Sequence, residues 1–180
     1  VETLMSASGS LTEFQSYSFS PDESKILLAT AVQPIYRHSS AANYFVYDLK
    51  TKKVEAVSAQ GKQIYPSFSP VGENLAYVKD NNIWIKDLFS GKDQPITSDG
   101  KKNAIINGLP DWVYEEEFTM YQAYQWSPDG KKIAYLKFDE TDVASFTMPV
   151  YKGKLYPENV VFKYPKVGEK NSKISLWVYD

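Results

Sequence analysis

The sequence predicts an all-β fold: a partial β-propeller of about three four-stranded blades, with a short helical insertion carrying a glutamate motif. Three observations carry that prediction. The chain holds 14 Tyr and 4 Trp, residue types that favour strands, while apolar spacing at the helical period of 3.6 is rare. A short phrase recurs three times: Tyr17-Ser18-Phe19-Ser20-Pro21, Pro66-Ser67-Phe68-Ser69-Pro70 and Tyr124-Gln125-Trp126-Ser127-Pro128. After each phrase comes a turn and then an apolar strand. Four strands per unit of roughly 40–50 residues is the propeller signature.

The elements follow in chain order. Residues 1–16 are polar and poorly patterned, a lead-in strand or a remnant of something larger. The first unit, about 17–58, pairs its aromatic strand with Lys25–Thr30 across a turn at Asp22-Glu23. Its third strand is Asn43–Leu49 and its fourth Val54–Val57. Between the second and third strands, residues 31–42 read as a long connection. The second unit, about 65–98, repeats the plan: a Val71-Gly72 turn, then strands at Asn74–Lys79, Asn82–Leu88 and Gln94–Thr97. The third unit, about 122–180, has an Asp129-Gly130 turn, a strand at Lys132–Lys137 and another at Ile174–Asp180. It stops before a fourth strand, so residues 1–180 read as a fragment of an N-terminal propeller domain. Two further stretches stand outside the repeat, 101–123 and 138–173. Function usually sits in such loops on a rigid scaffold.

Composition excludes several classes. A net charge of −2 leaves no basic footprint for nucleic acid. No apolar run approaches the ~18 residues of a membrane span. Val1-Glu2 lacks the basic start and apolar core of a signal peptide, and a first residue other than Met suggests a processed or excised chain. Cysteine is absent, which excludes disulfides and thiolate metal sites. No cofactor is expected. Asp139-Glu140-Thr141-Asp142 has too few oxygen ligands for a hard cation and no glycine for the sharp turn, so a solvated turn is expected there. No Gly-x-Ser-x-Gly elbow occurs, and His38 is the sole histidine. It reads as a loop histidine with a structural hydrogen bond rather than a general base. A glycosidase pair such as Asp111 and Glu116 finds no sugar platform beside it.

One stretch is chemically unusual: Asp111-Trp112-Val113-Tyr114-Glu115-Glu116-Glu117-Phe118. Acidic runs normally lie among Lys, Ser and Gly, but this one is walled by aromatics. Carboxylates near large apolar rings lose hydration and repel each other, so something cationic should balance them. A helical turn splays neighbouring side chains by about 100°, and a short turn entering a cavity end-on could still aim two of them at one small cation. Arg37, in Ile35-Tyr36-Arg37-His38-Ser39, offers a planar donor suited to a carbonyl or carboxylate.

These residues resemble the dipeptidyl peptidase IV family of serine peptidases. The string Asp111–Glu117 matches that family's glutamate motif, Asp-Trp-x-Tyr-Glu-Glu-Glu, without a gap. Tyr36-Arg37-His38-Ser39 resembles its arginine loop, and Tyr44–Leu49 the strand after it. Ser69-Pro70-Val71-Gly72 with Leu75-Ala76-Tyr77 is similar to a blade hairpin, and Tyr164–Gly168 to a segment leading into the next strand. The resemblance implies a serine exopeptidase that removes N-terminal dipeptides with Pro or Ala second. It implies an eight-bladed propeller capping an α/β-hydrolase domain that supplies the catalytic triad. By motif position, Glu116 and Glu117 hold the substrate's ammonium group and Arg37 contacts its peptide carbonyl region, with Trp112 and Tyr114 packing in support. Glu115, which by motif position does not face the amine, is expected to matter least of the three glutamates. The partners expected are peptide N-termini, the hydrolase domain and the remaining blades, in a homodimeric parent. The expected location is the periplasm, the cell surface or outside a bacterium. The competing expectation is a non-enzymatic periplasmic binding or scaffold propeller, which the repeats alone would equally allow.

Overall fold

Strand residues alternate between two faces, and here both faces are apolar, which calls for a sheet covered on each side. A computed structural model describes Leu11 and residues 13–180. Its first antiparallel sheet runs in the order β1 (Ser16–Phe19), β2 (Lys25–Pro34), β3 (Ser40–Asp48), β4 (Val54–Ala56). The second runs β5 (Ile64–Phe68), β6 (Asn74–Lys79), β7 (Asn82–Asp87), β8 (Asp93–Pro95). Each is a meander of neighbouring strands, the form of a propeller blade.

The cores lie between blades. From β2, Leu27 turns one way to join Val46, Val57, Leu75 and Tyr77. Its neighbours Ile26 and Leu28 turn the other way, onto Leu11 and Tyr47. In β6 the same alternation sends Leu75 and Tyr77 towards blade one, and Ala76 and Val78 into a third cluster with Ile106, Tyr124, Ile133 and Phe138. Fully burying each such side chain contributes roughly 1.5–3 kcal/mol, so face-to-face stacking of blades is the main source of stability. A two-bond bridge between Ala42 and Gln63 (3.0 and 2.8 Å) ties the first blade to the second.

The third sheet departs from the repeat. Its strands are β9 (Ile105–Asn107), β10 (Tyr124–Trp126), β11 (Ile133–Asp139) and β14 (Lys173–Tyr179), with a separate hairpin of β12 (Ser145–Val150) and β13 (Glu158–Lys163). β14 pairs along the whole of β11. The other edge of β11 is shared: β10 pairs with 133–135 and β9 with 137–139. The sheet therefore begins at Ile105, and the only helix of the described residues, α1 (Trp112–Phe118), interrupts its innermost strand. The chain leaves the sheet at Gly108 and returns at Ala123, and the neck is closed by Ala123 N–H donating to the Gly108 carbonyl (3.0 Å). Gly108 has φ +77, and a Cβ there would lie 2.7 Å from Ile83 Cγ1. Only glycine fits both that backbone and that approach.

Two sequence expectations need correction. Residues 31–42 are not a long connection, because β2 runs on to Pro34 and β3 starts at Ser40. The register shifts between Thr30 and Gln33, with Ala31 left-handed at φ 49; a bulge of this kind bends a hairpin without ending it. The arginine segment is thus a five-residue tip, 35–39. The turn 139–142 is not wholly solvated either: Glu140 is buried at 6% exposure. No helix of the described residues is long and apolar enough to cross a membrane.

Candidate functional site

α1 is short, and a seven-residue helix is marginal on its own. Its ends are held by side chains. Asp111 is the N-cap, its Oδ1 accepting from the Tyr114 amide at 3.0 Å, and its Oδ2 accepts from the Ser172 hydroxyl. Thr119 closes the other end in a left-handed conformation, φ 53 and ψ 32. Aromatic contacts fix the flanks. The Trp112 ring lies 4.7 Å from Tyr164 and 6.3 Å from Phe162, joining the helix to the β12–β13 hairpin. Tyr114 packs 5.2 Å from Phe138 of β11 and 5.0 Å from Phe118. Asp111, the residue considered for a glycosidase pair, is engaged in these capping bonds.

The three glutamates point in three directions, as consecutive helical positions must. Glu115 is buried at 2% exposure. One of its oxygens, Oε1, accepts from two successive backbone amides of the hairpin tip, His38 N–H at 3.0 Å and Ser39 N–H at 2.8 Å. Glu116 forms an ion pair with Arg37, Nε to Oε2 at 3.0 Å, the two side chains 73% and 13% exposed. Glu117 is exposed. The structure thus brings Arg37 and Glu116 together, with Glu117 next along the helix. The cation expected to balance the acidic run is Arg37 for Glu116. For Glu115 the balance comes from two amides instead. His38 uses its main chain: besides the amide bond, its carbonyl accepts from Tyr65 O–H at 3.3 Å, and its ring lies 4.9 Å from that of Tyr121.

Behind the helix is a cavity of about 850 Å³, lined in part by Tyr36, Ser39, Trp112, Glu115, Glu140 and Phe162. Arg37, Glu116 and Glu117 do not line it. Burial pushes the Tyr36 phenol up to about 12, and the carboxylates of Glu140, Glu115 and Asp111 add to the effect. Burial likewise pushes Glu140 up to about 7, helped by Asp111 and opposed by the Lys163 ammonium. Among the described residues no group of three or more His, Cys, Asp or Glu is arranged to hold a metal. Sequence reasoning missed Ser39, Ser172 and the second role of the acidic run. The aromatic wall around that run was the one signal that a carboxylate there would be buried.

Stacked four-stranded antiparallel blades, with a capped helix interrupting one inner strand and its carboxylates set against an arginine hairpin, define a propeller segment. The comparisons narrow that class. The family model for the dipeptidyl peptidase IV (DPP IV) N-terminal region matches residues 20–180, and the chain belongs to this family. It is 39% identical to dipeptidyl peptidase 4 of Trichophyton rubrum over 183 residues, covering 97% of this chain and 23% of that protein. It is 40% identical to dipeptidyl aminopeptidase B of Saccharomyces cerevisiae over 171 residues, covering 92% and 20%. The crystal structure of Porphyromonas gingivalis dipeptidyl peptidase 4 superposes with a TM-score of 0.93 at 42% identity, covering all of this chain and 26% of that one. The chain therefore spans roughly a quarter of the length of the proteins it matches.

Proposed function

We propose that this chain is the substrate-recognition part of a serine exopeptidase that releases N-terminal dipeptides, Xaa-Pro or Xaa-Ala, and that Glu116 and Glu117 anchor the substrate's α-ammonium. The observation that carries the reading is the Arg37–Glu116 pair at 3.0 Å beside exposed Glu117. A peptide α-amine has a pKa near ~7.7–8 and is mostly protonated at neutral pH, and two nearby carboxylates favour the charged form further. Each charge-assisted hydrogen bond contributes roughly 1.5–3 kcal/mol. Arg37, already paired and largely exposed, directs its remaining donors at the carbonyl region of the bound peptide. An ammonium anchor held at a fixed distance from a nucleophile acts as a ruler. Blocked or internal peptides would bury the carboxylates without a partner, which disfavours them.

In this reading the reaction belongs to the α/β-hydrolase domain that the family resemblance implies; the 180 residues contain no Gly-x-Ser-x-Gly and a single histidine. By itself the chain should bind peptide N-termini weakly and hydrolyse nothing. The parent is a homodimer exported by a bacterium in this reading. The names of the relatives, all of them peptidases, favour the enzyme over the scaffold propeller.

The test is kinetic. In a full-length enzyme carrying this segment, Glu116→Gln and Glu117→Gln should each lower kcat/KM on a free dipeptidyl amide by about 2–4 kcal/mol. Arg37→Ala should also lower it while leaving the preference for free over N-acetylated peptides in place. Near-parental kinetics for both glutamine variants, in folded protein, would remove the reading.

A further inference from the structure

We infer that Glu115 is a positioning residue: its buried carboxylate sets the arginine hairpin against α1, and so fixes the separation between Arg37 and the two ammonium-binding glutamates. The inference rests on the anchoring role proposed above for Glu116 and Glu117. It starts from an imbalance in what holds Arg37. The guanidinium is largely exposed, at 73%, although its partner Glu116 is only 13% exposed. A single ion pair open to solvent on the arginine side is weakened by salt, and it holds the end of a long flexible side chain rather than the loop's main chain.

The loop's own bonds shape it without attaching it to the helix. Ile35 N–H donates to the Ser39 carbonyl at 2.9 Å, and Tyr36 N–H to the Ser39 hydroxyl at 3.3 Å. The backbone attachment to α1 comes from Glu115 Oε1, which collects the amides of His38 and Ser39, the two residues directly after Arg37. Amide donors to a buried carboxylate make strong, directional bonds, and two from adjacent residues to one oxygen fix orientation as well as distance. Ser39 is itself buried, at 7% exposure, so water does not readily replace the lost acceptor there. Truncating Glu115 would therefore free the tip to drift. A drift of about 1 Å at a substrate-positioning group can cost about 100-fold in rate.

The experiment uses a full-length enzyme carrying this segment, with Glu115→Ala and Glu115→Gln each made in the parent and in an Arg37→Ala background. Gln keeps an oxygen acceptor and the length of the side chain, so it serves if the alanine variant does not fold. In the parent background kcat/KM on a free dipeptidyl amide should fall by about 100-fold for Ala and by about 10-fold for Gln. In the Arg37→Ala background both losses should shrink to about 3-fold or less, because residues acting through one contact are non-additive. Hydrogen exchange at the His38 and Ser39 amides should accelerate in both variants, with the strands unchanged. Equal losses in the two backgrounds, or unchanged exchange at those amides, would overturn the inference. The exchange measurement needs no substrate, so it decides the attachment even if the Glu116 and Glu117 variants were to disprove the anchoring role.

Discussion

The blade corners and the arginine hairpin are both tight reversals between antiparallel strands, yet they are held in opposite ways. At the corners the bonds that close the turn are local. Ser20 Oγ–H donates to Asp22 at 2.6 Å and accepts from Lys25 N–H at 2.9 Å. Ser127 repeats this with Asp129 and Lys132 at 2.6 and 2.9 Å. In all three corners the serine carbonyl accepts from the amide three residues on, at 2.9 Å, from Glu23, Gly72 and Gly130. The arginine hairpin instead depends on a carboxylate 76 and 77 positions away. Local turns form wherever their residues occur and can be repeated through a scaffold. A turn attached from a distance takes its place against the helix only when the sheets have docked, which couples its position to the fold.

Removing the distant support should do most to separate the two kinds of turn. In this segment, Glu115→Ala leaves two amides without their acceptor and should lower stability by about 2–4 kcal/mol. Asp129→Ala, at a solvent-exposed corner, should barely move the urea midpoint. Equal midpoints for the two variants would break the comparison.

A smaller effect is expected from pH, through Glu140 behind the site. Its folded-state pKa, pushed up to about 7 by burial and by Asp111, lies above the ordinary carboxylate value. The folded state then binds more protons than the unfolded one between about pH 4.5 and 7, so stability falls as the pH rises through that window. Glu140→Gln should remove the slope: it should be the more stable form at pH 8 and lose that advantage below about pH 4.5. A melting temperature followed across pH 4–8 for both proteins reads this directly. Parallel curves would contradict the burial argument.

The smallest effect belongs to the corners themselves. The Ser127 hydroxyl, with the Lys131 amide, holds the Asp129 carboxyl below its usual range. A lowered folded pKa contributes stability above the unfolded value near ~3.9 that is lost as the pH falls through the folded one. Being fully exposed, it should give only a slight acid-side difference between Asp129→Ala and the parent.

The same contrast explains what could be read from the sequence. Continuous apolar runs such as Ile26–Ala29 and Leu75–Val78, and the Ser-Pro corners, are local signals, so the all-β class, the four-stranded meanders and the helical insertion were legible. Arg37 and the acidic run were each singled out through the resemblance of two short motifs, but their ion pair was not. The extension of β2 past its bulge was not, because Ala31 gives no glycine or proline to mark it. Nor was the split inner strand of the third sheet, since Ile105–Asn107 is three residues long and gains its partner only from β11. Glu140 looked like a surface acid beside other acids, and for Glu115 the aromatic wall signalled burial without showing its partners. The partners of Glu115, the amides of His38 and Ser39, lie far off in the chain.

The central claim is that two helix-borne carboxylates recognise a free α-ammonium, and Glu117 offers the cleanest probe of it because its exposure makes a folding defect on substitution small. The measurement is calorimetric binding of a free dipeptide ending in proline, and of its N-acetyl form, to a full-length enzyme and its Glu117→Gln variant. The account predicts that the parent binds the free form and not the acetylated one, and that the variant binds the free form at least about tenfold more weakly. Equal affinity of parent and variant for the free dipeptide would contradict it.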